Sequence, residues 1–451
     1  MNDDRTVVVI GGGAAGLAAA LRLAGSGVSV TILEARDRIG GRILTHRDPA
    51  SEVPIELGAE FIHGMSPEIF EPLETRNAAI VEVQGDSWCV NHGRLTPCSF
   101  LAQVDKILGS MDANSPDLSF TEFLERRFPN SSRDPDLEMA KRRAIGYVSG
   151  FNAADPTQVG VHWLVAEMEA EEKIQGHRAF RIVNGYAELI DLFRRQLDEA
   201  GVPTRTGTVV ERVEWRPGRV EITVRGSGSS QASILTAAKV LITLPLGVLQ
   251  APVGERGAIE FAPALPSQKL DALSRIEMGT AMRVVLRFHR RFWETIMPPG
   301  GGGKTLHGMS FLFSEDEWFP TWWTSEPRKS PTLTGWAPFR AGTRLSGQSE
   351  RFVMDRALSS LGRLLRVDPA KLEEEFAAGY FHDWQNDPFS RGAYSYGKVG
   401  ANEAQQTLAA PVEETLFFAG EATDVSGNNG TVHGAISSGH RAAAQILRAL
   451  S

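Results

Sequence analysis

The sequence predicts an α/β protein whose main domain is of the Rossmann type, together with at least one further domain. Two units predict the Rossmann type. A buried strand, a glycine-rich turn and a helix follow one another at the amino end, and a short strand ending in glycine precedes a helix at the carboxyl end. The length predicts the further domain, because a chain of 451 residues is too long for one hydrophobic core.

The amino-terminal unit is a strand, a GxGxxG turn and a helix. Thr6–Ile10 is short, apolar and β-branched, and Ala14–Ala24 consists of strong helix formers. Between them, Gly11 allows a tight turn, Gly13 lets the backbone approach a pyrophosphate, and Gly16 lets the helix pack against the strand. The free N–H groups and the positive dipole end of the helix favour a phosphate there.

The segment after this helix completes a dinucleotide-binding pattern. Val28–Leu33 is a second predicted strand, and it ends at Glu34, whose carboxylate can accept hydrogen bonds from ribose hydroxyls. The stretch Arg36–Arg42 follows closely and contains two adjacent glycines flanked by arginines. Such a loop can wrap closely around phosphates, with arginine as a bidentate donor. Together these features predict dinucleotide binding.

The carboxyl-terminal unit is likewise a short strand, an acidic residue and a helix. Phe417–Gly420 is a short apolar strand, and Glu421 after it can accept from a ribose or ribitol hydroxyl. Thr431–Leu450 has the alanine-rich, amphipathic pattern of a helix, whose amino terminus favours negative charge nearby. Thr431 is also a suitable cap for that helix.

Composition and charge exclude several classes. The net charge of −8, without a block of Lys or Arg, argues against a nucleic-acid partner. No run of about 20 apolar residues predicts a membrane span. The acidic start predicts no targeting segment and hence a cytoplasmic enzyme. Cys89 and Cys98 are expected to be two reduced thiols, and no metal site is predicted, because no further Cys or His completes a zinc-ligand pattern with His92.

Three motifs show a family resemblance. GGGAAGLAAA at the amino end, LEARDRIGGR around Glu34, and IELGAEFIHG at 55–64 resemble the flavin amine oxidases. That family includes monoamine, polyamine and L-amino-acid oxidases and lysine-specific histone demethylases, and the third motif is most similar to the polyamine oxidases. The resemblance continues over about residues 6–450, through the stretches RIVNGY, TLPLGVL, DPFSRGAYSY, FFAGEAT and GTVHGA. The chain has no long coiled-coil insertion, which argues against a chromatin role.

The resemblance implies an FAD-binding domain built from the separated segments 1–75, 181–265 and 382–451. An α+β substrate-binding domain would be built from 76–180 and 266–381. FAD is expected to be held non-covalently, because Ala393 stands where covalent members carry a cysteine. The residues expected to bind FAD are Gly11, Gly13, Ala15, Gly16, Glu34, Ala35, Arg36, Gly40, Gly41, Arg42, Leu57, Gly58, Ala59, Glu60, Val210, Pro245, Trp384, Gly420, Glu421, Thr431, Val432 and Ala435.

The implied reaction moves a hydride equivalent from the carbon next to an amine nitrogen to flavin N5. The imine formed hydrolyses to an aldehyde, and molecular oxygen becomes hydrogen peroxide. By similarity, Tyr394 is one of two aromatic positions that flank the substrate, Thr431 occupies the other, and His63 lies beside the substrate. Trp384 is expected near the flavin edge. A polyamine-like or other primary or secondary amine is the favoured substrate.

Two further groups have two interpretations each. Glu167, Glu169, Glu171 and Glu172 could guide a polycation, but a solvated helix face is the alternative that the pattern favours. Trp322 and Trp323 fall where the family lines its cavity, and ordinary core packing is nearly as good an interpretation.

Arg283 departs from the family pattern, in which a lysine holds a water near flavin N5. Arginine keeps the charge but cannot lose a proton at any working pH, and its planar fork is bulkier. If that lysine promotes proton transfer or the reaction with oxygen, this chain is slow as an oxidase. The alternative function is therefore a flavin-dependent dehydrogenase or oxidase of an amino acid or a specialised biosynthetic intermediate. A flavoprotein kept as a binding module is a third, weaker hypothesis.

Overall fold

The computed structural model describes residues 5–226, 228 and 231–451. Residues 1–4, which include Asp3 and Asp4 and on which the prediction about targeting relied, lie outside this part. No helix within it is both long and apolar enough to cross a membrane.

Strands and helices are interspersed along the chain. The strands are β1 Thr6–Ile10, β2 Ser29–Leu33, β3 Thr45–His46, β4 Ile55–Glu56, β5 Ile62–His63, β6 Ile80–Glu82, β7 Asp86–Asn91, β8 Arg94–Pro97, β9 Ala179–Ile182, β10 Thr204–Arg205, β11 Thr208–Arg216, β12 Arg219–Gly226, β13 Ala232–Ala237, β14 Lys239–Ile242, β15 Glu260–Ala262, β16 Ile276–Met278, β17 Ala281–Phe288, β18 Met309–Phe313, β19 Thr321–Thr324, β20 Thr332–Pro338, β21 Phe376–Phe381, β22 Ser395–Gly397 and β23 Leu416–Phe418. The helices are α1 Ala14–Gly25, α2 Pro67–Glu74, α3 Phe100–Leu108, α4 Phe120–Arg127, α5 Pro135–Gly150, α6 Val161–Lys173, α7 Ala187–Glu199, α8 Leu246–Leu249, α9 Ser267–Arg275, α10 Phe339–Leu345, α11 Glu350–Leu365, α12 Pro369–Glu375, α13 Ala404–Ala409 and α14 Val432–Ala449.

A five-stranded parallel sheet, in the order β10-β2-β1-β14-β23, confirms the Rossmann-type α/β fold. Side chains of β1 alternate between its two faces, as a strand period of two requires. Val7 and Val9 pack against helices α1, α7 and α14, whereas Val8 and Ile10 pack against the four-stranded sheet β13-β12-β11-β15. The central sheet is therefore covered by helices on one face and by a second sheet on the other.

A seven-stranded sheet, in the order β21-β17-β20-β19-β18-β7-β8, forms the second half of the molecule. One of its faces packs on helices α10, α11 and α12. Alternation places Met282 and Val284 of β17 on that face, so Arg283 between them points to the opposite face. The same rule separates Trp322, which is fully buried in the core, from Trp323 on the other face of β19.

The strands of these sheets come from the same chain segments that were predicted to form the FAD-binding and the substrate-binding domains. Every strand of the two sheets around β1 falls in 1–75, 181–265 or 382–451, and every strand of the seven-stranded sheet falls in 76–180 or 266–381. Strand β9 crosses the boundary proposed at 180/181 and pairs with β5 and β6. The exact division into domains stays a prediction.

The prediction of two reduced thiols is wrong, because Cys89 and Cys98 form a disulfide with their Cα atoms 5.7 Å apart. Strands β7 and β8 form a hairpin that places Cys89 opposite Thr96, and the backbone N–H of Cys98 then donates to the carbonyl of Ser87. The spacing of the two cysteines could not indicate this pairing without the hairpin. Since disulfides persist in oxidising compartments, the expected cytoplasmic location loses the support of reduced cysteines.

Candidate active site

A cavity of about 1760 Å³ runs from the carboxyl ends of the parallel strands to the open face of the seven-stranded sheet. Its wall contains Arg283, Tyr394, His63 and Thr431, and every residue expected to bind FAD except Gly16. A Cβ atom at Gly16 would lie 2.0 Å from the carbonyl oxygen of Gly11, so this glycine permits the packing of α1 on β1.

Gly13 tests whether the cavity suits a dinucleotide. Its φ of −83° is open to any residue, and a Cβ atom built there would meet only the Cα atom of Gly41, at 4.0 Å. Neither the backbone nor the neighbouring protein atoms therefore require glycine at this position. The space between these two backbone segments, at the amino terminus of α1, fits a pyrophosphate.

Glu34 is buried at the end of β2, where its carboxylate holds the turn together. Its Oε2 accepts from the N–H of Gly12 at 2.8 Å, and its Oε1 accepts from the N–H of Arg36 at 2.9 Å. Each oxygen keeps a lone pair for a further donor. Contact with a ribose is compatible with this geometry and stays a prediction.

Arg36 and Trp384 form a supported pair on the cavity wall. The guanidinium of Arg36 contacts Asp387 at 2.9 Å and lies 5.9 Å from the ring centroid of Trp384. The indole N–H of Trp384 donates to the carbonyl of Leu57 at 2.7 Å. Asp387 also contacts the His382 ring at 2.9 Å. These contacts fix the position of Trp384, while its proximity to a flavin stays a prediction.

Glu421 joins three chain segments at the centre of the cavity. Its Oε1 accepts from Arg42 at 3.0 Å, and its Oε2 accepts from the Ser395 hydroxyl at 2.6 Å and from the Gly430 N–H at 2.9 Å. Arg42 also donates to the carbonyl of Ala393 at 2.6 Å. The structure thus gives Glu421 protein donors at both oxygens, and its predicted contact with a cofactor hydroxyl would add to them.

The amino terminus of helix α14 faces the cavity. The Thr431 hydroxyl accepts from the Gly434 N–H at 3.0 Å and donates to the carbonyl of Asn428 at 2.6 Å, so Thr431 caps the helix as expected. Val432 and Ala435 in the first turn line the cavity. A helix start of this kind favours negative charge on a bound group.

Tyr394 and His63 are both uncharged at neutral pH. The Tyr394 hydroxyl donates to the carbonyl of Phe151 at 2.6 Å, and burial raises the pKa of this phenol well above its ordinary value. The His63 ring lies edge-on to Phe151 with centroids 5.1 Å apart. Burial, with a contribution from His433, lowers the pKa of His63 to about 4. His63 therefore offers a polar ring without a positive charge.

The acidic cluster on α6 is not the solvated helix face that the sequence pattern favoured. All four carboxylates line the cavity, but Glu169 and Glu172 are exposed, whereas Glu167 and Glu171, one helical turn apart, are half-buried. Burial raises the pKa of Glu167 to about 8 and that of Glu171 to about 7. The i, i+4 spacing was a signal that these two share a face.

A hydrogen-bond network that the sequence analysis missed fixes Glu167. Its Oε1 accepts from Trp163 at 2.9 Å and from Asn429 at 2.6 Å, and its Oε2 accepts from Asn152 at 2.6 Å. No local motif marks these partners, because Asn152 and Asn429 are distant in the chain. Asn429 directly precedes Gly430, which packs on Tyr394, so the network connects Glu167 to the predicted substrate position.

Arg283 lies on the cavity wall inside an aromatic slot. Its guanidinium carbon is 5.3 Å from the Trp323 ring and 5.9 Å from the Trp336 ring. Its Nη1 pairs with Glu60 at 3.2 Å and donates to the carbonyl of Glu56 at 3.3 Å. Trp323 thus lines the cavity, as one of the two interpretations held, whereas Trp322 is a core residue.

Comparison with known proteins decides the family. The model of the flavin containing amine oxidoreductases matches residues 14–77 and 106–447.

This chain belongs to the flavin-containing amine oxidoreductases.

Curated relatives and solved structures agree with this assignment. Polyamine oxidase 4 of Oryza sativa subsp. japonica is 27% identical over 97% of this chain and 88% of its own length. Lysine-specific histone demethylase 1 homolog 3 of Arabidopsis thaliana is 28% identical over 99% of this chain but only 30% of its own length. The fold matches putrescine oxidase bound to putrescine with a TM-score of 0.77, at 19% identity and over 98% of this chain and 99% of the other. Cyclohexylamine oxidase from Brevibacterium oxydans IH-35A matches with a TM-score of 0.76, at 20% identity and over 99% of each chain.

Membership makes this protein an FAD-dependent oxidoreductase that acts on carbon–nitrogen bonds, as the motifs indicated. Residues of the glycine-rich turn, the Arg36–Arg42 loop and the start of α14 line one part of this cavity, and binding of FAD at these residues stays a prediction. Among the described residues, no group of three or more His, Cys, Asp or Glu side chains is placed to hold a metal ion.

Proposed function

We propose that this enzyme oxidises a polyamine-like or other primary or secondary amine at the carbon next to nitrogen. FAD is held non-covalently and molecular oxygen is the electron acceptor. The observation that carries the substrate class is Glu167, a half-buried carboxyl group on the cavity wall, linked to the Tyr394 region through Asn429. The curated polyamine oxidases among the relatives support the same substrate class.

Glu167 and Glu171 supply the charge that a cationic amine needs. A cation that enters the cavity favours the ionised form of a nearby carboxyl group, so both side chains can pair with an ammonium. His63 is uncharged, with a pKa of about 4, and it does not repel that ammonium. The aromatic rings of Tyr147, Phe151 and Trp336 line the cavity and add cation–π attraction.

Oxidation requires the neutral amine, because an ammonium has no lone pair. Burial raises the pKa of Glu167 to about 8, so the carboxylate, once the entering cation has favoured its ionised form, is a stronger base than an ordinary carboxylate and can accept the proton of the substrate ammonium. When bound, FAD supplies the two-electron acceptor at N5 and the route by which those electrons reach oxygen as hydrogen peroxide. The imine that remains gains water and separates into an aldehyde and an amine.

Non-covalent binding of FAD rests on residue 393. Alanine has no nucleophile, and its carbonyl accepts from Arg42 at 2.6 Å. The flavin is therefore held by the turn, the Arg36–Arg42 loop and the start of α14 rather than by a bond to this residue.

The alternative, an amino acid or other anionic substrate, has Arg283 in its favour, since a guanidinium can bind a carboxylate with two hydrogen bonds. Arg283 is paired with Glu60 in this structure, however, and an anionic substrate would have to share or displace that carboxylate. The pairing favours the amine.

A substrate panel tests the proposal. Spermine, acetylated spermine, an aromatic monoamine and an α-amino acid are compared by anaerobic bleaching of the flavin and by peroxide release. Spermine or its acetylated form should reduce the flavin fastest, and Glu167→Gln should raise the KM for it. Glu125→Gln, an exposed change on α4 away from the cavity, is the matched control.

Fastest reduction by the α-amino acid would replace this proposal by the alternative. Turnover only with an artificial electron acceptor would remove oxygen from the reaction. A flavin that no substrate reduces would favour a binding module.

A further inference from the structure

Three charged side chains that are almost completely buried form a row that includes Arg283 and Glu60 on the cavity wall and Arg181 next to Glu60. Arg181 Nε lies 2.6 Å from Glu60 Oε1, and Glu60 Oε2 lies 3.2 Å from Arg283 Nη1. The three side chains are exposed by only 10%, 11% and 7%. A buried cation without a counter-charge is costly, so the single carboxylate between two guanidinium groups determines where both can lie.

Glu60 is held from three sides. Arg181 occupies Oε1, and the indole N–H of Trp323 donates to Oε2 at 3.0 Å, next to Arg283. Burial raises the pKa of Glu60, but Arg181 and Arg283 outweigh it and the net direction is downward. Glu60 therefore stays ionised.

Arg181 is in turn anchored to the backbone. Its Nη1 donates to the carbonyl of Glu326 at 2.8 Å and its Nη2 donates to the carbonyl of Thr324 at 2.9 Å. These bonds tie the carboxylate to the end of strand β19. The row therefore connects a fixed backbone position to the guanidinium on the cavity wall.

Arg283 depends on this carboxylate for its place in the slot. The rings of Trp323 and Trp336 are tilted by 48° to each other, and the guanidinium carbon lies 5.3 Å and 5.9 Å from their centroids, so the rings attract the cation without a directed bond. Among its polar contacts with described residues, only the bond to the Glu56 carbonyl is independent of Glu60, and at 3.3 Å that bond is long. The ion pair with Glu60 is therefore the charged, directed contact that fixes the guanidinium.

We propose that Glu60 is a positioning residue that acts through Arg283 rather than a ligand of FAD, and that Arg181 holds Glu60 in place for this role. The inference rests on the proposed function only in taking Arg283 as part of the reaction site. It differs from the expectation that Glu60 binds FAD, and the two ideas predict opposite results.

The test is a double-mutant cycle on the holoenzyme with Glu60→Gln, Arg283→Gln and both changes together. The flavin is reduced anaerobically by light with EDTA as the electron donor and is then mixed with oxygen, so the rate of reoxidation is measured without an amine substrate. Glu60→Gln should slow reoxidation on the order of 10-fold, as loss of an oriented charge does. The double variant should be no slower than the slower single variant, because both changes remove the same oriented group.

The dissociation constant of FAD, measured by titration of the apoprotein, is the second readout. It should change less than about 2-fold in Glu60→Gln, because a positioning residue contributes no contact to the cofactor. Glu211→Gln, which breaks an exposed ion pair with Arg225 outside the cavity, is the control and should match the unmodified enzyme.

Trp323→Phe covers the case in which Glu60→Gln does not fold. It removes the indole donor to Glu60 but keeps an aromatic ring beside Arg283, and it should slow reoxidation in the same direction by a smaller factor. The inference would be overturned if reoxidation in the double variant were slowed by the product of the two factors found in the single variants. Weaker FAD binding in Glu60→Gln with an unchanged rate of reoxidation would also overturn it. Failure of every amine to reduce the flavin would overturn the proposed function alone, since neither readout uses a substrate.

Discussion

Replacement of Gly13 by alanine separates cofactor binding from folding. The added Cβ atom would lie 4.0 Å from the nearest neighbouring atom, the Cα of Gly41. Two carbon atoms at this distance are in ordinary van der Waals contact, so the methyl group fits the protein without strain. It fills, however, the gap between two backbone segments through which the pyrophosphate of FAD is expected to pass.

The size of the effect follows from this geometry. In the apoprotein the change costs at most about 1 kcal/mol, since Gly13 is the cap of α1 and alanine is a poorer cap than glycine. In the holoprotein the pyrophosphate must move away from the helix start. A loss of about 1.4 to 2.8 kcal/mol is expected, which is about 10- to 100-fold in the dissociation constant of FAD.

Two glycines of the same helix are matched controls. A Cβ atom at Gly25 meets nothing within 4 Å, so Gly25→Ala should leave both FAD affinity and stability nearly unchanged. A Cβ atom at Gly16 would lie 2.0 Å from the Gly11 carbonyl oxygen, so Gly16→Ala should destabilise the apoprotein itself.

The assay is FAD titration by quenching of flavin fluorescence, beside thermal unfolding of each apoprotein. Unchanged FAD affinity in Gly13→Ala would refute the reasoning, because the backbone there would not approach the cofactor. An unfolded Gly13→Ala apoprotein would show that the space serves the fold.

The remaining predictions concern the cofactor bond and three charged residues. Acid precipitation should release all flavin into the supernatant, and colour that stays with the pellet would contradict the role of Ala393. Glu34→Ala should weaken FAD binding by roughly 1–3 kcal/mol, since it removes an acceptor and loosens the turn; a titration that matches the unmodified protein would place the ribose elsewhere. Arg283→Lys should change the reoxidation rate more than the anaerobic reduction rate, as measured by stopped flow; the reverse result would make Arg283 a substrate-binding residue. Glu167 has a folded pKa of about 8 against an ordinary 4.5, so its stabilising contribution is complete below pH 4.5 and is lost as the pH rises through 8. In the apoprotein, Glu167→Gln should therefore reduce the fall in the free energy of unfolding over this interval, by up to about 1.4 kcal/mol per pH unit. Denaturation of both proteins at pH 5 and pH 8 measures this fall, and an equal fall in the variant and the unmodified protein would contradict the prediction.

The sequence alone predicted the strands and helices whose formation depends on neighbouring residues. The strand at Thr6–Ile10 is found with the predicted bounds, and the helix predicted at Ala14–Ala24 runs from Ala14 to Gly25. Strand period, helix formers and glycine conformation are properties of adjacent residues, so they could be read directly. The carboxyl-terminal helix, predicted over Thr431–Leu450 and found as Val432–Ala449, was readable for the same reason.

Family motifs extended this to residues far apart in the chain. Arg36, Leu57 and Trp384 are on the wall of one cavity, although no local rule connects them. The motifs shared with the family predicted that these three residues bind the same cofactor.

Only the tertiary structure determined how the charged and sulfur-containing side chains are paired. Glu167 and Glu171 belong to a helix whose acidic pattern is typical of a solvated face, and burial against the cavity gave them raised pKa values. Cys89 and Cys98 became a disulfide because a hairpin brings them together. Arg283 is paired with Glu60, and Glu60 with Arg181, through contacts between β17, the segment before β5, and β9. Pairing and desolvation depend on distances in space, which packing of the whole chain sets and which the order of residues does not contain.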